Sequence, residues 1–286
     1  MSQFANRSMV ALVLIAGLLP GGARSAQPET ATNEAETIGG GNEHPLSKWV
    51  EIGLARISQV ETYTCELVCQ ERIDGELNRP KTIFAKVRHE KARQPNSADD
   101  TDSRISLYLH FNSPDSVKGR ELLFCNAAID DPKQWRIVVR KGGKSLAFLT
   151  AELSPTCAMA MQDCRYPITE FGLKRLIGRM SGVAKQECMY PKGDVQIDPD
   201  VGFAGQSCTK IEVRHPERHD HFKFHLACIY IANDLKLPIH FSAYDWPAES
   251  GAKPELIESY TYQSLQLNAA LSDADFDRSN PAYGFK

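Results

Sequence analysis

The chain has 286 residues, and its 33 basic and 36 acidic side chains leave a formal net charge of -3. That balance supplies no basic field for a nucleic-acid partner, and none is expected. With 42% apolar residues the chain has the composition of a folded globular protein and the length for one large β-rich domain or two small ones.

The first 25 residues read as a secretory signal peptide. Arg7 supplies a short positive region, and "MVALVLIAGLL" (Met9 to Leu19) is an apolar run too short to span a bilayer. Pro20 and two glycines break it, and cleavage is expected after Ala23 or Ser25. No cysteine lies near that site, so no lipid anchor is expected. The reading is a protein that is soluble after cleavage, periplasmic or secreted, whose eight cysteines sit in an oxidising compartment. Residues 26–43 are polar with a glycine run and read as a disordered leader; 44–286 read as a single domain.

"HPLSKWVEIGLARISQV" places Leu46, Trp49, Val50, Leu54 and Ile57 on one stripe, which predicts an amphipathic helix over 46–58. Strands follow. In "TYTCELVCQE" Tyr63, Cys65, Leu67 and Cys69 share one face. After the turn residues "DGELN", "KTIFAKVRH" turns Ile83, Ala85 and Val87 inward, with Leu67 expected near Ala85. Beyond a hydrophilic loop, "ISLYLHF" alternates Ile105, Leu107, Leu109 and Phe111 inward. "RELLFCNA" follows, and "WRIVVR" and "KSLAFLT" form a hairpin around Gly142 and Gly143.

An irregular stretch, "SPTCAMAMQDCRYP", leads into a second helix, expected over 169–180 with Thr169 as its N-cap and Leu173, Leu176, Ile177 and Met180 on one side. A loop rich in Gly, Asp and Pro then gives way to "CTKIEV", "FKFHLACIYI", "LPIHFSAYDW" and "ELIESYTYQSLQLN". The fold class is therefore α+β, mainly β: about nine to eleven antiparallel strands and two or more helices.

"HPERHDHFKFH" (His215 to His225) holds four of the eight histidines. Read as a hairpin strand, it sends Phe222, Phe224, Leu226, Cys228 and Tyr230 inward and the imidazoles toward water. Lys210, Glu212 and Arg214 of the partner strand point the same way as the imidazoles. His221 and His225 then lie about 13 Å apart along an extended strand, awkward for one zinc ion. Only His219 and His221 have close spacing, and they are the metal candidates. Cys208 and Cys228 fall on opposite faces and are not expected to bridge. Cys157 and Cys164 flank a short loop and form the candidate disulfide.

Other motifs dissolve. "KGGKS" lacks the first glycine of a phosphate loop. "DADFD" has Arg278 where a calcium loop needs Gly, and reads as a solvated tail. There is no G-x-S-x-G, H-E-x-x-H, C-x-x-C or G-x-G-x-x-G. No catalytic residue and no cofactor are expected.

The stretches "YTCELVCQERIDGEL", "VKGRELLF", "RYPITEFGLKRLI", "LPIHFSAYDWP", "ESYTYQSLQLN" and "DFDRSNPAYGF" are similar to a family of secreted bacterial proteins of unassigned function. The similarity covers about residues 46–286. "LPIHFSAYDWP…YTYQSLQLN" also resembles the closing strands of the LolA/LolB-like lipoprotein-carrier superfamily. The superfamily resemblance implies a strongly curved antiparallel sheet, an unclosed half-barrel, covered by helices, with acyl chains held between them. The family resemblance implies no catalytic residues.

The residues' own pattern is compatible with this. A single sheet must cover its apolar face, and an incomplete cover leaves a ligand site. Tyr63, Leu67, Ile83, Leu107, Leu109, Ile137, Phe222, Phe224, Leu226 and Phe241 are expected to line the concave face, with helices 46–58 and 169–180 as the lid. The expected function is non-enzymatic binding of an acyl chain, a lipid or a lipidated peptide; the expected partners are a hydrophobic small molecule or a lipidated protein, with transient contact to membrane or envelope proteins. One alternative is an envelope interaction or scaffold protein with a filled core. Another is metal-dependent hydrolysis through the His215–His225 run.

Overall fold

The computed structural model describes residues 45–90, 104–143, 149–190, 193–249 and 251–285. All belong to one compact unit, Asn42–Lys286. The signal-peptide and leader readings lie outside them, as does most of "KSLAFLT".

The chain opens with helix α1 (Pro45–Ile57) and continues through β1 (Thr62–Ile73), β2 (Glu76–Leu77), β3 (Lys81–His89) and β4 (Ile105–Ser113). Then come β5 (Glu121–Cys125), β6 (Ile137–Arg140) and β7 (Thr150–Leu153). A short helix α2 (Ala158–Met161) and a long one, α3 (Leu173–Met189), interrupt the strands. The remainder is β8 (Asp194–Phe203), β9 (Gln206–Arg214), β10 (Leu226–Ala232), β11 (Leu237–Tyr244) and β12 (Leu256–Leu267).

Strand order is β7-β6-β5-β4-β3-β1-β12-β11-β10-β9-β8, with the small β2 hanging from β1. Every neighbouring pair is antiparallel. β7 and β8 are the two edges and do not pair, so the sheet is an unclosed half-barrel of 12 strands plus helices. The count exceeds expectation because β2 formed within presumed turn residues and β8 within a presumed loop. β8 carries Pro199 and three aspartates and is mostly exposed. Such residues keep an edge strand from pairing with other chains, and they also hide it from propensity rules.

Alternation places one face of the sheet in the core. Tyr63, Cys65, Leu67 and Cys69 of β1, Ile83, Ala85 and Val87 of β3, and Ile105, Leu107, Leu109 and Phe111 of β4 are all buried. The hairpin register is Leu67 opposite Ile83 and Cys65 opposite Ala85. This is two residues from the expected pairing, and a shift of two keeps every side chain on its face.

α1 and α3 pack on each other and on β11. Leu46, Val50 and Ile57 of α1 meet Leu173, Leu176, Ile177 and Met180 of α3 in the main core. Full burial of each such side chain contributes about 1.5–3 kcal/mol. Leu54 departs from the expected stripe and is 40% exposed. α3 starts four residues later than predicted, with Gly172 rather than Thr169 at its N-cap. The Tyr63 hydroxyl accepts the Leu173 N–H there (3.1 Å). It lies 2.7 Å from where a Gly172 Cβ would stand, and Gly172 has φ +101.

The β9–β10 region corrects two expectations. Residues 215–225 form an irregular loop, and β10 begins only at Leu226. Its inward side chains are Ala227, Ile229 and Ile231, whereas Leu226, Cys228 and Tyr230 face away. The non-strand loop resets the alternation by one residue. Cys208 and Cys228 consequently share the outer face, but Cys208 pairs with Ala232 and Cys228 with Glu212, four positions along the ladder. Both are free thiols.

The segment after β12 is not a solvated tail. Residues 273–276 form a 3-10 turn against the outer face of β4 and β5. Phe276 and Phe285 bury there with Tyr108 and Leu123 in a second cluster.

Candidate functional site

A cavity of about 120 Å³ lies between the concave sheet face and the irregular segment 155–172. Its sheet wall is apolar: Leu67 from β1, Ile83 from β3, Leu109 and Phe111 from β4, Leu122 from β5 and Ile137 from β6. Tyr262 of β12, paired with Leu67, belongs to the same wall, and Ile168 and Phe171 face it from the roof. The roof is therefore the 155–172 segment. α3 contributes only Arg179 to the lining and α1 contributes nothing, so the two predicted helices are not the lid.

One end of the cavity is polar. The inward faces of β1 and β12 terminate there in carboxylates, Glu71 and Glu258, both buried. The Tyr260 hydroxyl donates to Glu71 Oε1 at 2.5 Å and lies 3.3 Å from Glu258 Oε2. Tyr166, from the roof, donates to Glu258 Oε1 at 3.1 Å, and Arg165 Nε sits 3.3 Å from Glu258 Oε2. Burial pushes the Glu258 carboxyl up from the ordinary range, and Arg165 and Arg179 pull the other way without cancelling it. Burial, reinforced by Glu258, raises the Tyr166 hydroxyl to about 12. Buried Lys81 donates to the Asp163 carbonyl and so pins the roof to β3. Cys69 and Cys164 also line this end. Burial lifts the Cys69 thiol to about 12 and raises Cys164 as well.

Of the ten residues expected on the concave face, Leu67, Ile83, Leu109 and Ile137 line the cavity. Tyr63, Leu107, Phe224 and Phe241 are buried in the main core beyond its lining. Phe222 is buried against His215, with ring centroids 3.7 Å apart. Leu226 is partly exposed on the opposite face. Glu71 and Glu258 were the missed signals: each is a carboxylate in register with an inward apolar run. Arg179 left no such signal, standing beside Met180 at the edge of a helical stripe.

Of the histidine run only His215 turns fully inward; His219, His221 and His225 are half-buried. His215 is 2% exposed, and its Nδ1 donates to the Phe224 carbonyl (2.9 Å). Its Nε2 meets Glu187 Oε1 at 2.6 Å. The His219 and His221 rings stack with centroids 5.3 Å apart. Among the described residues, no group of three or more His, Cys, Asp or Glu side chains is placed to hold a metal ion. The hydrolase alternative has no ligand set there. Cys157 and Cys164 flank α2 as free thiols.

The family described as Protein of unknown function (DUF1571) matches residues 60–285. The chain belongs to the DUF1571 family. No curated protein matches this DUF1571 chain. Among solved structures it is similar to a DUF1329 family protein from Desulfovibrio piger, at 12% identity over 82% of this chain and 98% of that one, with a TM-score of 0.38. Lipoprotein LppX of Mycobacterium tuberculosis matches at 12% identity over 79% and 97%, with a TM-score of 0.38. A LolA superfamily protein from Nitrosomonas europaea matches at 9% over 81% and 97%, with a TM-score of 0.29. These likenesses carry no residue correspondence. Among the described residues, no helix of this DUF1571 protein is long and apolar enough to cross a membrane.

Proposed function

We propose that this DUF1571 protein is a non-enzymatic, periplasmic or secreted binder of a hydrophobic ligand: an acyl chain, a lipid or a lipidated protein. The observation that carries the reading is the roofed cavity, apolar along the sheet and polar at one end. Binding is driven by burial of methylene groups, at about 0.8 kcal/mol each. The cavity's 120 Å³ is below the roughly 300–1,000 Å³ of small-molecule sites, so the roof must move to admit a chain. Its polar fastenings include Lys81 to the Asp163 carbonyl, Arg120 to the Asp163 carboxylate, Arg165 to the Arg72 carbonyl, and Tyr166 and Arg165 to Glu258.

Native mass spectrometry of protein purified from its own host tests this. Co-purified lipid that disappears in Leu109→Trp, at unchanged melting temperature, supports the reading. The small cavity also favours a second one, an envelope scaffold whose outer surface does the work. A protein partner with no lipid, and no uptake of added fatty acid, establishes that second reading instead.

A further inference from the structure

At the polar end of the cavity the buried Glu71 and Glu258 carboxylates and the Lys81 ammonium have partners, and Arg179 does not. Tyr260 serves Glu71; Tyr166 and Arg165 serve Glu258; Lys81 is spent on the Asp163 carbonyl. Arg179 lines the same cavity, and among the described residues its guanidinium makes no hydrogen bond or ion pair; its Nε is buried without a partner. A desolvated donor left unpaired is costly, about 1–3 kcal/mol and more for a charged group. Yet its side chain is held in place. The guanidinium stacks over Tyr166 at 4.6 Å and over Tyr260 at 5.5 Å from the ring centroids. These aromatic contacts orient a planar fork suited to bidentate recognition of an oxyanion.

We propose that Arg179 anchors the head of a single-chain amphiphile bearing one carboxylate, with its chain laid along Ile83, Leu109 and Ile137. The proposal rests on the hydrophobic-ligand reading above and names the ligand class. A carboxylate suits the site better than a phosphate monoester. Glu71 and Glu170 line the cavity, Glu258 is bonded to the lining residue Tyr166, and a second negative charge on the head adds repulsion at close range.

The test is calorimetric titration of the full chain with decanoate, methyl decanoate and decyl phosphate. Wild type is expected to bind decanoate about tenfold to a hundredfold more tightly than the ester, the range for a charge-assisted hydrogen-bond pair. Decyl phosphate should be the weaker of the two anions. Arg179→Gln should bring decanoate down to the level of the ester and leave ester binding unchanged. Arg179→Lys, which keeps the charge but not the fork, should restore only part of the difference. Equal binding of acid and ester by wild type overturns the anchor while leaving the hydrophobic-ligand reading intact. Tighter binding of decyl phosphate overturns the carboxylate assignment. Binding of none of the three removes both proposals. The wild-type comparison decides the matter even if Arg179→Gln does not fold.

Discussion

His215 Nε2 lies 2.6 Å from Glu187 Oε1, and both side chains are 2% exposed. The contact fastens the end of α3 to the loop between β9 and β10. Because Nδ1 already donates to the Phe224 carbonyl, one further proton must sit between the ring and the carboxyl. The Phe222 ring stacks on the imidazole and shuts out water. His215, the first histidine of the run, is a structural fastener.

Removing one partner of such a pair strands the other in the interior. Glu187→Ala should lower stability by about 3–5 kcal/mol, and His215→Ala by a similar amount. The double variant should cost much less than the sum. Urea denaturation of the four proteins measures the coupling; strictly additive losses would mean that the pair does not act as a unit.

Gly193 guards the same contact. A Cβ at that position would lie 2.3 Å from Glu187 Oε2 and 3.3 Å from His215 Cδ2. Gly193→Ala should therefore destabilise by about 1–3 kcal/mol through overcrowding. If Gly193→Ala costs little or nothing further in a Glu187→Ala background, the clash is with this carboxylate.

The C-terminal segment is fastened by charge as well as by Phe276. Lys86 Nζ contacts Asp275 Oδ1 at 2.7 Å and donates to the Tyr283 hydroxyl at 3.1 Å. Tyr283 in turn stacks on Tyr108 at 3.8 Å. Burial alone would raise the Asp275 carboxyl, but hydrogen bonds from Lys86 and Ser272 outweigh it and hold the group below its ordinary value. A depressed carboxyl contributes stability above its unfolded value, near pH 4, and loses it as pH falls through the folded value. Limited proteolysis of residues 272–285 should accelerate below about pH 4. Asp275→Asn should cleave faster at neutral pH and show less of this pH dependence. Phe276→Ala should cost about 3 kcal/mol and release the segment at every pH.

Cys69 and Cys164 report on the roof. Both thiols are raised by burial, and both line the cavity. Alkylation by iodoacetamide at pH 8 should be far slower there than at Cys188, which is exposed. If the roof opens to admit a ligand, saturating decanoate should change the rate at Cys69 and Cys164 and leave Cys188 untouched. Peptide mass spectrometry reads each site separately.

Most of the sheet was legible because period-two alternation in β1, β3 and β4 leaves only one way to bury Tyr63, Leu67, Ile83, Leu107 and Leu109 together. Four of the ten expected lining residues reach the cavity for that reason. The errors cluster where the chain leaves a regular element. Extending β10 back through His221 to His225 placed Leu226 on the wrong face, because a single non-strand residue inverts the alternation. Reading the final residues as solvated ignored Phe276, Tyr283 and Phe285, which have a face to cover only once β3 to β5 are assembled.

The sequence by itself determined an antiparallel sheet with one apolar face and helices to cover it, since local periodicity and burial demand no more than that; that the sheet stays unclosed was implied only by the superfamily resemblance. Only the tertiary structure decided that the 155–172 segment roofs the cavity. It also decided that Glu71, Glu258, Tyr166 and Tyr260 satisfy one another, and that Arg179 is left over. These residues lie as much as 189 positions apart, between Glu71 and Tyr260. No local pattern records which donor meets which acceptor across such distances; the pairing is fixed only when the strands and the roof close around a common volume.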